Sequence, residues 1–114
     1  MQHLALVALD VPSMERFYRE YFHFRPGHGP GFLVDERGFL LSIEPARAPP
    51  GIPSWLHHGF HLASRDALVA LHERMQAQGV PIVEPPKDQG RTAVFFCRDP
   101  GGYLVEVRAP LAPS

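Results

Sequence analysis

The strongest constraint on the fold of this chain is an internal repeat between its two halves. His3–Leu6 and His57–Phe60 share the order histidine, apolar residue or histidine, small residue, large apolar residue. Seven residues after each leading histidine comes a residue that can cap a helix, Asp10 in the first half and Ser64 in the second. Matches in the same order in both halves indicate a duplicated supersecondary unit.

The far ends of the two halves match as well, because Gly38–Leu41 corresponds to Gly102–Val105. Between these ends, each half predicts a strand, a helix and then about three strands. Pro45–Ser54 holds four prolines and one glycine, so it can form neither a helix interior nor a central strand. We therefore expect an α+β fold of two βαβββ modules within one domain of residues 1–114, with module one at about 3–44, a linker at 45–56 and module two at about 57–108.

Local patterns place the helices and strands. Ser13 can cap the first helix, whose apolar positions lie three or four residues apart: Met14, Phe17, Tyr18, Tyr21 and Phe22. Ser64 opens the second helix, Gly79 ends it, and its predicted apolar face is Ala67, Leu68, Leu71 and Met75. Strands are predicted at 4–9, 32–34, 39–43, 57–62, 80–83, 92–96 and 103–107, with a loop at 26–31.

Composition excludes several classes of function. Apolar residues make up 45% of the 114 residues, near the globular average, and 11 basic against 12 acidic residues give a net charge of -1. Such a balance does not favour nucleic acid as the main partner. No apolar run approaches the roughly 20 residues that cross a bilayer. Cys97 is the only cysteine and the N-terminus has no signal-peptide pattern, so we expect a cytoplasmic protein without a disulfide.

Strand alternation selects a set of chemically active side chains. In the first strand, His3 and Ala5 share the face opposite the predicted helix. The fifth strand presents His57, Gly59 and His61 on its matching face, and the last strand presents Glu106 and Arg108. One common face could therefore carry His3, His57 and Glu106, with the small residues Ala5 and Gly59 leaving room for a ligand.

Two histidines and one carboxylate are a known facial set for a divalent metal with open coordination positions. Imidazole nitrogen and carboxylate oxygen suit iron, manganese, nickel or zinc better than calcium. The open positions can bind two substrate oxygens or polarise a carbonyl. The sequence therefore predicts a divalent metal ion as cofactor.

The pattern resembles the vicinal oxygen chelate superfamily, which includes glyoxalase I, bleomycin-resistance proteins, extradiol dioxygenases and fosfomycin-resistance proteins. The resemblance spans about residues 3 to 108. It rests on His3-Leu-Ala-Leu with Asp10 before a helix containing Phe17-Tyr18, on His57-His-Gly-Phe with Ser64, and on Asp99-Pro-Gly-Gly-Tyr-Leu-Val-Glu106, which is close to the family ending Asp-Pro-x-Gly-x-x-x-Glu. It implies a mixed sheet curled into an open cup, metal ligands at His3, His57 and Glu106, and a homodimer with sites built from both subunits.

Two positions leave alternatives open. Glyoxalase-type members use a fourth ligand, a glutamate in the last strand of module one, but the repeat places Ser42 opposite Glu106 in the alignment, and Glu44 would serve only if that strand is shifted. His58 would replace His57 as ligand if the fifth strand contained a one-residue bulge.

The expected function is that of a metal-dependent enzyme of this superfamily, acting on a small oxygenated molecule as an isomerase, lyase, transferase or dioxygenase. His61 is the candidate general base, and Arg108, Arg91 and Ser42 are candidate substrate contacts. The alternative is a metal-free protein of the bleomycin-resistance type that sequesters a small molecule in a dimer groove. Cys97 is expected to be a packed, unreactive thiol, and His23, His28 and His72 to lie at the surface or in loops.

Overall fold

The computed structural model describes residues 2–112. The order strand, helix and three strands occurs twice, as the repeat predicts. The elements are β1 (His3–Ala8), α1 (Val11–Phe22), β2 (Arg25–Pro26), β3 (Phe32–Val34), β4 (Leu40–Pro45), β5 (His57–His61), α2 (Arg65–Ala77), β6 (Ile82–Gln89), β7 (Thr92–Arg98) and β8 (Leu104–Pro110). None of the helices among these residues is long and apolar enough to cross a membrane.

Each half builds its own four-stranded mixed sheet. The strand order is β1-β4-β3-β2 in the first half and β5-β8-β7-β6 in the second. In both sheets the strand before the helix pairs in parallel with the last strand of its module, and the other pairs are antiparallel. The predicted α+β class with two βαβββ modules is confirmed. The chain divides into two compact units between Gly51 and Ile52, inside the predicted linker.

The register of the parallel pairs shows how closely the modules correspond. In module one, Ala5 lies opposite Ser42, and in module two Gly59 lies opposite Glu106. The alignment of Ser42 with Glu106, predicted from sequence, is therefore reproduced by strand pairing. Leu6 and Ala8 are buried on the inner face of β1, while His3 and Ala5 are exposed on the other.

The helices begin at the repeat's two capping positions. Asp10 is the N-cap of α1 and accepts a hydrogen bond from the backbone N–H of Ser13 at 3.1 Å. The prediction of Ser13 as the cap was wrong, because Ser13 already lies in the first turn and donates its own N–H. Ser64 caps α2 as predicted, by accepting from the N–H of Ala67 at 3.1 Å.

The buried face of α1 is the predicted one, but that of α2 differs. Leu68, His72 and Met75 are the buried residues of α2, whereas Ala67 is exposed. The assignment of His72 to the surface was wrong: it is 8% exposed, and its ring centroid lies 5.4 Å from that of Phe95. The histidine completes the three-and-four spacing of the helix face, which sequence reasoning had reserved for apolar residues.

Strand β6 is much longer than the predicted strand at 80–83. It continues to Gln89 through Pro85 and Pro86, and its register with β7 shifts between Glu84 and Lys87. Proline is tolerated there because β6 is an edge strand and the irregularity removes the need for a ladder N–H. The predicted loop at 26–31 likewise contains one paired residue, Pro26, which lies opposite Leu33 in the short strand β2.

The same tight turn precedes the last strand of each module. In module one, Oδ1 of Asp35 accepts from the N–H groups of Arg37 and Phe39, at 2.9 and 2.8 Å. In module two, Oδ1 of Asp99 accepts from Gly101 and Tyr103, at 3.0 and 2.9 Å. This aspartate turn fixes where β4 or β8 starts. It thereby decides which side chains of that strand lie on the same face as the histidine of β1 or β5.

Candidate functional site

The structure brings His57 and Glu106 together on one face of the module two sheet. Because Gly59 lies opposite Glu106 in the parallel ladder, His57 is the next side chain of β5 on that face. Its Nε2 atom is 3.8 Å from Oε1 of Glu106, and the two side chains are 45% and 19% exposed. The ring of Phe96, opposite Glu106 on β7, packs edge-on to His57 with centroids 6.0 Å apart.

A backbone carbonyl fixes the orientation of His57. Its Nδ1 atom lies 3.0 Å from the carbonyl oxygen of Trp55. A carbonyl can only accept, so Nδ1 carries the hydrogen, and in the neutral ring Nε2 keeps its lone pair toward Glu106. Metal-binding histidines commonly donate their second ring N–H to such an acceptor.

The donor atoms can be tested against a metal ion. Two ligands each about 2.1 Å from one ion lie roughly 3 to 3.4 Å apart at tetrahedral or octahedral angles. The 3.8 Å separation of His57 and Glu106 is slightly wider, and a small side-chain rotation closes it. The pair therefore fits two positions of a divalent metal. Among residues 2–112, no group of three or more His, Cys, Asp or Glu side chains is placed to hold one.

Arg108 already binds the carboxylate of Glu106. The Nε and Nη2 atoms of Arg108 each lie 3.4 Å from a different oxygen of Glu106. Its third nitrogen, Nη1, donates to Oγ1 of Thr92 at 2.6 Å. The half-buried carboxylate is thus paired within its own sheet, which reduces the cost of taking its charge partly out of water.

Gly59 makes space for this arrangement. A Cβ atom at Gly59 would lie 3.1 Å from the carbonyl oxygen of Glu106 and 3.4 Å from its Cβ and Oε2 atoms. The backbone oxygen cannot move without disturbing the ladder. The sequence predicted that a small residue here leaves room for a ligand. In the structure, the space beside Gly59 is next to the side chain of Glu106.

Replacing Gly59 by alanine is expected to lower the free energy of unfolding by about 1 kcal/mol, because the added methyl group crowds the ladder beside Glu106. Gly51→Ala is the matched control, since its Cβ would meet no atom within 4 Å. Urea unfolding of both variants checks the expectation. Equal stability of the two variants would contradict it.

The other candidates of module two lie at different places. His61 is exposed and lies opposite Arg108 in the ladder, on the face that carries His57. His58 points to the opposite face, where its ring centroid is 6.1 Å from that of Phe60. Burial, and then the neighbouring charge of His57, lower the pKa of His58 to about 4. Arg91 is exposed just before β7, beyond the residues that face Glu106.

The candidates of module one belong to the other compact unit. His3 is exposed at the start of β1, opposite Leu40. Ser42 is half-buried, and Glu44 is exposed two residues further along β4 on the same face. Glu44 occupies the place in module one that Arg108 has in module two, since the two lie two residues beyond Ser42 and Glu106 respectively.

Sequence reasoning missed two partners of the site. The antiparallel ladder of β7 and β8 brings Thr92 within reach of Arg108, a relation that strand register alone decides. The acceptor at Trp55 is a backbone carbonyl, which every residue type has, so the identity of residue 55 gives no sign of this contact. Cys97 takes no part: burial, and then the charge of Asp99, raise the pKa of its thiol to about 12.

Comparison with known proteins places this architecture. The model of the Glyoxalase/Bleomycin resistance protein/Dioxygenase superfamily matches residues 1–107. The uncharacterized protein PA2024 of Pseudomonas aeruginosa is 33% identical over 130 aligned positions, which cover 100% of this chain and 92% of that protein.

Solved structures agree. A possible glyoxalase from Bacillus cereus has a TM-score of 0.80 at 28% identity, covering 94% of this chain and 96% of that one. The fosfomycin resistance protein FosX of Mesorhizobium loti has a TM-score of 0.80 at 16% identity, covering 96% and 90%. Lactoylglutathione lyase of Agrobacterium tumefaciens has a TM-score of 0.71 at 22% identity, covering 96% and 92%. At their identities the last two show the fold alone. From the match of the family model over nearly its whole length, the chain belongs to the Glyoxalase/Bleomycin resistance protein/Dioxygenase superfamily.

Proposed function

We propose that this protein is a metal-dependent enzyme that binds a small oxygenated molecule through two of its oxygens. His57 and Glu106 hold the divalent metal (iron, manganese, nickel or zinc), and His3 is the third ligand, from the same chain or from a second copy. The observation that carries the proposal is the His57 ring, anchored through Nδ1 on the Trp55 carbonyl with Nε2 toward the Glu106 carboxylate. The reaction is an isomerisation, an addition or elimination, or an oxygen-dependent cleavage.

The chain's own residues divide the work. When bound, the metal would supply Lewis-acid stabilisation of negative charge that develops on the substrate oxygens. The Trp55 carbonyl keeps the proton of His57 on Nδ1, so that the lone pair of Nε2 stays available to bind the metal. His61, exposed on the same face, accepts a proton on a ring nitrogen where the reaction needs a base. Arg108, Arg91 and Ser42 are proposed substrate contacts.

Metal binding tests this proposal directly. In calorimetric titration of untagged protein with Ni²⁺ or Zn²⁺, we expect about one ion per chain. Glu106→Gln should weaken the affinity about ten- to a hundredfold, because a neutral amide replaces the anionic ligand while the volume is kept.

Glu84→Gln is the matched control, since Glu84 is an exposed glutamate of the same sheet that pairs with Lys87 at 3.1 Å. Its affinity should equal that of the parent protein. A parent protein that takes up no divalent ion would rule out the metal-dependent enzyme.

The second candidate is a metal-free binding protein that sequesters a small molecule. The observation that favours it is the pairing of Glu106 with Arg108, which gives the carboxylate a partner without any metal. This candidate predicts a parent protein that binds no divalent ion but does bind aromatic or drug-like molecules, detectable by thermal-shift screening.

The proposal extends to assembly and location. The superfamily resemblance supports a homodimer as part of this proposal, and the free, buried thiol of Cys97 supports a reducing compartment such as the cytoplasm. Light scattering at working concentration measures the assembly.

A further inference from the structure

We propose that Arg108 and the metal ion exchange places on Glu106, and that the released guanidinium then binds an oxyanion of the substrate. The inference rests on the proposed metal-dependent function and adds the substrate class, a small oxygenated molecule that carries a carboxylate or similar oxyanion. Arg108 would then couple the binding of the metal ion to the binding of the substrate oxyanion, in addition to contacting the substrate.

All three nitrogen atoms of the guanidinium have partners. The edge formed by Nε and Nη2 faces the two oxygens of Glu106, while Nη1 is held by Thr92. A metal ion held between Nε2 of His57 and Oε1 of Glu106 shares that oxygen with Nη2 of Arg108, and two cations on one carboxylate repel each other. Arg108 therefore competes with the metal for Glu106.

Displacement would leave Arg108 with an unpaired charge. Among residues 2–112, Glu106 is the only carboxylate within ion-pair distance of the guanidinium. The groups that face Arg108 from neighbouring strands are His61, opposite it on β5, and Val94, opposite it on β7. Lys87, opposite Val94 on β6, already has a carboxylate partner, because its Nζ atom lies 3.1 Å from Oε2 of Glu84.

The freed edge has the shape that recognises an oxyanion. Its two parallel N–H groups match the two oxygens of a carboxylate, and Thr92 keeps the guanidinium from rotating away. The side chain of Arg108 is 25% exposed, so a small ligand can reach it. Because metal binding creates this site, the metal and the anion must strengthen each other's binding by the same factor.

The first test measures metal affinity after removal of the competing charge. Arg108→Gln is expected to bind Ni²⁺ or Zn²⁺ about tenfold more tightly than the parent, and Arg108→Lys should lie between them. Arg98→Gln is the matched control, since this half-buried arginine of the same sheet donates to the carbonyl oxygen of Gly102 at 3.2 Å and, within residues 2–112, to no carboxylate. Its affinity should not change.

A purely structural role for Arg108 predicts the reverse. If Arg108 only holds Glu106 in place for the metal, Arg108→Gln would bind metal less tightly, and the exchange would be disproved. Circular dichroism of each variant shows that the fold is intact, and Arg108→Lys serves in the comparison if the glutamine variant does not fold.

The second test measures the coupling with acetate as the anion. In the parent, saturating acetate should tighten metal binding about fivefold, the lower end of ordinary coupling factors, and Arg108→Gln should lose that effect. An acetate effect that persists in Arg108→Gln would mean that the anion binds the metal alone, which overturns the oxyanion site. A parent that binds no metal overturns the proposed function as well, whereas metal binding that Arg108→Gln leaves unchanged overturns this inference alone.

Discussion

Asp99→Ala is expected to lower the free energy of unfolding by about 3 kcal/mol. Asp99 is only 4% exposed, and its Oδ1 atom accepts from the backbone N–H groups of Gly101 and Tyr103. Alanine would leave these donors without their acceptor in a turn that water reaches poorly, and hydrogen bonds to a charged group are among the stronger ones. The turn also sets the start of β8, so its loss loosens the strand that carries Glu106 and Arg108.

The repeat supplies the control for this prediction. Asp35→Ala removes the same two kinds of hydrogen bond from a more exposed turn, where water can replace them, so its expected cost is about 1 kcal/mol. Asp99→Asn keeps an accepting oxygen and should cost less than Asp99→Ala. Urea unfolding of the three variants makes the comparison. Equal costs for Asp35→Ala and Asp99→Ala would show that burial does not decide the strength of this turn.

The fold could be predicted because its determinants are local and occur twice. Each half has a strand that begins with histidine, a capping residue seven positions after that histidine, and a glycine before the last strand. Each signal is weak alone, but the same order in both halves constrains the topology. Strand pairing then reproduces the alignment, with Ala5 opposite Ser42 and Gly59 opposite Glu106. What the sequence did not reveal is irregular: the passage of β6 through Pro85 and Pro86 depends on its position at the edge of the sheet.

The candidate site could be predicted only in part. The alternation of side chains along each strand predicted that His57 and Glu106 share one face. That alternation depends only on the residues of the strand itself. The role of Thr92 depends on the register between β7 and β8, and that of Trp55 on a backbone carbonyl, and neither can be inferred from residue type. For His72 the error was different: the residue was assigned to the surface because it is polar, although its spacing from Leu68 and Met75 places it on the buried face of α2.

The two βαβββ modules carry different side chains at the positions of the candidate site. Module two carries Glu106 and Arg108 on its last strand, and module one carries Ser42 and Glu44 at the corresponding places. Module two thus has a carboxylate 3.8 Å from its histidine, whereas module one has a hydroxyl at the corresponding position of its last strand. Duplication explains the shared scaffold, and this difference in side chains confines the carboxylate and guanidinium pair to module two.

The stability of the protein is expected to fall steeply between pH 6.5 and 4 because of His58. Burial, and then the nearby charge of His57, lower the pKa of His58 from 6.5 to about 4. Below pH 6.5 the unfolded chain takes up a proton at His58, whereas the folded protein does not until about pH 4. Stability present at neutral pH is therefore lost as the pH falls through this window, by up to about 3 kcal/mol for this one group.

His58→Gln removes the titrating ring and keeps a polar side chain at the position. The variant should lose about 2 kcal/mol less stability than the parent between pH 8 and pH 4.5, measured by urea unfolding at each pH. At pH 8 the variant lacks the ring that packs near Phe60 and Tyr103, and the difference measured there serves as the reference for the change with pH. Parallel stability curves for parent and variant would show that His58 is protonated as readily in the folded state as in the unfolded one. A smaller acid loss in the variant would instead establish that the second histidine of the His57-His58 pair is held neutral on the inner face of β5, while His57 faces Glu106.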